Sequence, residues 1–87
     1  MDGLTEGRIV HYVMGTGQNV GDHRPAIVVR VWRNADGTPP KNGVCQLQVF
    51  TDGSNDGADY ASGIFWATSV VFSEEPEPYT WHWIERA

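Results

Sequence analysis

Eighty-seven residues suffice for one domain, near the lower size at which a core holds without staples, and the chain is read as a single β-barrel domain over 1–87. The one cysteine, Cys45, excludes an intramolecular disulfide framework and fits a reducing compartment. The longest apolar run is too short for a helical membrane span, the start MDGLTEGRIV has no leader pattern, and a net charge of −5 argues against a grip on long DNA or RNA, so a soluble intracellular protein is expected.

In chain order the sequence alternates strands with turn signals. Gly7–Met14 (GRIVHYVM) is rich in β-branched and aromatic residues and reads as a strand, followed by a loop, Gly15–His23, with three glycines and an Asn. Pro25–Arg33 (PAIVVRVWR) is the most apolar strand. Asn34–Gly43 gathers Asp-Gly, Pro-Pro and Asn-Gly turn signals. Val44–Thr51 alternates apolar and polar with period two, Asp52–Gly63 is irregular, and Ile64–Phe72 is a fourth strand. Ser73–Tyr79 is a proline-stiffened connection before a fifth short strand, Thr80–Glu85. No window has a helical period. The expected fold is all-β: a small SH3-like antiparallel barrel or rolled sheet of about five strands.

Alternation assigns faces. Ile27, Val29 and Val31 are expected to face the core, with Ala26, Val28, Arg30 and Trp32 opposite. Cys45 shares a face with Leu47 and Val49 and is expected to be a buried apolar residue rather than a nucleophile. Gln46, Gln48 and Phe50 lie on the other face of that strand. Arg, Gln, Trp and Phe on such faces bind planar, charged ligands or form subunit interfaces. Ten aromatic rings in so short a chain make a homo-oligomer expected.

Four of the six basic residues, Arg8, Arg24, Arg30 and Arg33, precede residue 34, and such a cluster in an acidic protein suits a compact anionic ligand. Pro25 holds Arg24 in an extended conformation at a stiff strand start, a good mounting for a bidentate anion contact, with His23 beside it. The alternative is an ion pair to Asp22 or another carboxylate. Tyr12, Trp32 or Trp66 would stack on a base, and Thr51, Asp52 or Asn55 would read polar edges. Trp81 and Trp83 share one face of the last strand and either close the barrel or present a platform to a partner.

In DGSNDGADYASG, Asp52, Ser54, Asp56 and Gly57 fall at positions 1, 3, 5 and 6 of a calcium loop, but Gly63 stands where position 12 requires Glu. Turn formation ranks first for this loop, ligand contact second and calcium third. His11, His23 and His82 with Cys45 supply zinc-type ligands, but no two have the short spacing of a zinc site. Neither a metal nor a cofactor is expected.

Two resemblances bear on function. GRIVHYV, HRPAIVV and LQVFT resemble the opening of MazF-type toxins, SH3-like endoribonucleases, which implies Arg24 and Thr51 as catalytic residues; the chain departs from that family after about residue 51. Along the whole chain, GRIVHYV, HRPAIVVRVW, LQVFTDGSND, WATSV and TWHWIE resemble a family of short uncharacterised proteins of tailed phages and prophages. This second resemblance implies an accessory protein of the host cytoplasm. By analogy it is an anti-defence factor that sequesters a cyclic-nucleotide or ADP-ribose-like signal without catalysis. The alternatives are the endoribonuclease and a protein-interaction or virion component.

Overall fold

A computed structural model describes residues 1–85. Five strands, β1 (Ile9–Val13), β2 (His23–Val31), β3 (Cys45–Phe50), β4 (Ile64–Phe72) and β5 (Thr80–His82), close into a barrel in the order β1-β2-β3-β4-β5. Every neighbouring pair is antiparallel except β4 and β5, which run parallel over two residue pairs, Val71–Thr80 and Phe72–Trp81. The expectation of an all-β barrel is met, with that one parallel pair as the departure. Asp52–Gly63 carries two single-turn 3₁₀ helices, Gly53–Asp56 and Ala58–Tyr60. No helix of the described residues is long and apolar enough to cross a membrane.

Val10, Tyr12, Met14, Ala26, Val28, Val31, Cys45, Leu47, Val49, Ala67, Val70 and Trp81 fill the barrel interior. Burial alone pushes the Cys45 thiol up to about 12, so Cys45 is a core residue, as its alternation indicated. The expected facing of β2 is corrected. Ala26 and Val28 point inward while Val29 is 45% exposed, and a bulge between Val28 and Arg30 then turns Val31 inward. One extra residue reverses the side-chain phase, so no single alternation fits the strand. A second bulge, at the β3–β4 step from Cys45 to Leu47, accompanies a left-handed Ser69 (φ 50°). Together the two bulges bend a short sheet enough to close.

Closure depends on the end of the chain. Trp81 is fully buried, donates its indole N–H to the Gly43 carbonyl at 2.9 Å, and packs against the rings of Phe72 and Trp83. Of the two roles open to the last-strand tryptophans, Trp81 closes the barrel. Tyr79 adopts φ 70° to turn into β5, and its ring lies where a Cβ on Gly15 would stand, 2.3–2.5 Å away. Gly15→Ala is therefore expected to displace Tyr79 and lower the melting temperature by several degrees in a thermal melt.

Candidate functional site

The sequence-predicted site residues separate into three places on the barrel, with Tyr12 alone inside it. The first is the corner where the Gly15–Asp22 loop meets Asp52–Gly63. Here Arg24 presents Nε to Asp56 Oδ2 at 2.9 Å and Nη2 to Asp56 Oδ1 at 2.5 Å. Its Nη1 donates to the His23 carbonyl at 3.0 Å and its Nη2 also reaches Asp22 at 3.3 Å. Four of the five guanidinium N–H donors are thus engaged. Asp56 is fully buried and also accepts from the Asn19 amide and the Asp52 backbone N–H. Hydrogen bonds from Arg24, then from Asn19 and Asp52, hold this carboxyl below the usual carboxylate range against the opposing pull of burial.

These contacts reassign Arg24. It is not an open phosphate clamp but half of a bidentate, largely buried ion pair, the alternative that a strand-start arginine carries. Both oxygens of Asp56 are taken, so the third-ranked calcium reading of this loop has no acidic ligand at its centre. Thr51 donates its hydroxyl to the Tyr60 carbonyl, Asp52 accepts at its carbonyl from the Asn55 N–H, and Asn55 accepts from Asn19. Asp52 and Asn55 make these contacts through their backbone carbonyls, and the side-chain-to-backbone bond expected of this loop is made by Asp56, whose carboxylate accepts the Asp52 N–H. Gly17 (φ +88°) passes so close that a Cβ there would lie 2.2 Å from the Asp56 carbonyl.

The second place is the outward face of β2–β4. Arg30 stacks its guanidinium 4.1 Å from the Trp32 ring centroid, and Trp32 donates its indole N–H to Gln46 Oε1. The same Gln46 oxygen accepts from the Ser69 N–H, so the β4 bulge fixes the amide that orients Trp32. Trp66, 47% exposed, stands opposite Gln48 on the neighbouring strand, and Phe50 and Ile64 form the next exposed pair. Tyr12 belongs to neither group. It lies inside the barrel against Phe65, with its phenol pushed up to about 12 chiefly by burial, and offers no stacking surface. The four early arginines do not cluster. Arg24 and Arg33 are paired with carboxylates, while Arg8 and Arg30 rest on Trp83 and Trp32 with no carboxylate partner among the described residues.

The third place is a histidine cluster at the β1–β5 seam. His23 turns its ring away from Arg24, toward Glu85, and joins His11 and His82 there. Short spacing could not have revealed this group, because the barrel brings His11 and His23 to a carboxylate 74 and 62 residues away.

No protein-family model, curated protein or solved structure matches the chain. The fold and its surfaces define an all-β barrel with a structural ion-pair corner, an exposed aromatic face and a histidine cluster.

Proposed function

We propose that the protein is a non-catalytic binding module for a compact anionic nucleotide derivative, held on the outward face of β2–β4. The observation that carries this reading is the Arg30–Trp32 stack: a cation without a carboxylate partner among the described residues, laid on an exposed indole, with the exposed Trp66 on the same outward face two strands away. A base stacks on Trp66 or Trp32, and Arg30 takes over the phosphate role that Arg24 cannot fill. Base–aromatic stacking of this kind is worth about 1–3 kcal/mol per base. The resemblance to short tailed-phage proteins supports an accessory, sequestering role, which needs tight binding and no general base.

The face is open, and no pocket is found among the described residues, whereas small-ligand sites are usually concave. A second copy laid over the exposed Phe50 and Ile64 next to Trp66 supplies the opposing wall, which favours a homo-oligomer. The endoribonuclease reading ranks below this one, because Arg24 is committed to Asp56 and the Thr51 hydroxyl to Tyr60.

The test is thermal shift with cyclic di- and trinucleotides, cyclic ADP-ribose isomers and short RNAs. A ligand at about a hundred times its dissociation constant adds roughly 2.7 kcal/mol, a shift on the order of 10 °C in a domain this small. Arg30→Ala and Trp66→Ala are each expected to weaken binding about tenfold or more. Absence of any shift, or a shift indifferent to both substitutions, would overturn the assignment. RNA cleavage lost in Arg24→Lys would favour the nuclease instead.

A further inference from the structure

The histidine cluster has a geometry that ordinary hydrogen bonding explains poorly. His11 Nδ1, His23 Nδ1 and His82 Nε2 all point at one atom, Glu85 Oε1, at 3.1, 2.6 and 2.5 Å. A carboxylate oxygen offers about two lone-pair directions, so three donors on one oxygen crowd it. His82 is also nearly buried, its side chain 9% exposed, and its Nδ1 has no hydrogen-bond partner among the described residues. The cluster is therefore the ring's one polar anchorage among those residues. Three imidazole nitrogens surround one carboxylate oxygen, and the four atoms make a coordination sphere once that oxygen backs away to admit an ion between them.

The four ligand atoms lie within 4.8 Å of one another. A tetrahedral zinc ion with bonds of about 2.0–2.2 Å needs them roughly 3.4 Å apart, so the contacts to Glu85 Oε1 would lengthen by up to about 1 Å and the widest separation would shorten by up to about 1.4 Å. The donor set selects the metal class. Imidazole with one carboxylate suits zinc and its transition-metal neighbours, whereas magnesium and calcium require oxygen ligands. The residues also come from the elements that need joining: His11 in the middle of β1, His23 at the start of β2, His82 at the end of β5, and Glu85 beyond it. β5 has three residues and pairs with β1 at only two positions, one of them His11–His82 itself. Small domains commonly add a metal where a short core leaves closure weak.

We propose that His11, His23, His82 and Glu85 bind one zinc-class divalent cation that clasps the closing seam of the barrel. With four protein ligands the site is closed and structural: the ion ties the C-terminal segment and β5 to β1 and β2, and its binding energy adds to folding. The site shares no residue with the Arg30–Trp32–Trp66 face, so either assignment can fail without the other.

The experiment uses the full untagged chain, stripped with a chelator and then titrated with zinc against a chromophoric competitor. One zinc per chain is expected, with a melting temperature several degrees above that of the stripped protein and no such rise with magnesium. Cobalt(II) in place of zinc should give the intense visible bands of a tetrahedral ion. His23→Ala is expected to weaken affinity by roughly a hundredfold or more, since even the outer partners of metal ligands are worth about 10–100-fold. Glu85→Gln should weaken it at least about tenfold. Both alter partly exposed side chains, and an unchanged far-ultraviolet circular dichroism spectrum checks that the variants fold. Substoichiometric zinc, uptake indifferent to His23→Ala, or the weak spectrum of six-coordinate cobalt would each overturn the proposal.

Discussion

Arg24→Ala is expected to lower unfolding free energy by about 3–5 kcal/mol, the usual cost of leaving one half of a buried pair uncompensated. Asp56 would keep the Asn19 and Asp52 donors but lose both guanidinium contacts while remaining buried. For a domain whose whole stability is of the order of 5–15 kcal/mol, that is a large share. Urea unfolding followed by circular dichroism measures it. The double variant Arg24→Ala/Asp56→Ala should lose less than the two single losses added, because the second change removes the stranded charge. Additive losses would mean that the pair contributes nothing as a pair.

The same contact fixes a pH dependence. Asp56 is held below its unfolded value of about 3.9, so its contribution is fully present above that value and is lost as pH falls toward the folded one. In Arg24→Ala the principal depressing partner is gone and burial favours the protonated acid, so acidification relieves the variant's deficit. The gap in melting temperature between wild type and Arg24→Ala should therefore narrow from pH 7 to about pH 3.5. A constant gap across that window would contradict the role given to Asp56.

Trp81→Ala is expected to cost a further 3–5 kcal/mol by a different cause, the cavity left by a fully buried indole. Its neighbours cannot easily collapse into that space. Gly43 is at φ +67° beneath the ring, and a Cβ there would already stand 2.9 Å from Trp81 Cζ2. Trp81→Phe retains much of the packing but strands the Gly43 carbonyl, a loss of about 1–3 kcal/mol. Urea midpoints should therefore rank wild type above Trp81→Phe and Trp81→Phe above Trp81→Ala. Equal midpoints for the two variants would show that the hydrogen bond, rather than the volume, is what closes the barrel.

Strand positions were legible because Gly, Pro and Asn-Gly signals punctuate the chain densely; Ile64–Phe72 is matched residue for residue. The facing of β3 was legible too, since CQLQVF alternates without interruption. β2 was not, because Ala26 to Val29 is apolar on both faces and the bulge that sets its phase leaves no local mark. Arg24 was correctly picked out as a mounted side chain, but its partner Asp56 sits 32 residues away in a loop that reads as turn-forming. The histidines gave no spacing signal for the same reason: barrel closure brings together positions that no short motif joins. Arg30 and Trp32 could be put on one face by alternation, but the Gln46 contact that orients Trp32 depends on the β4 bulge, which leaves no local mark.

The most direct test of the binding face is a proton–nitrogen correlation spectrum followed during titration with the tightest ligand of the nucleotide panel. The four tryptophan indole N–H signals report separate places in the fold. The Trp32 and Trp66 signals should move and saturate together, while that of Trp81, bonded to Gly43 inside the barrel, stays put. Saturating ligand that leaves Trp32 and Trp66 unmoved would contradict the assignment of the β2–β4 face as the site.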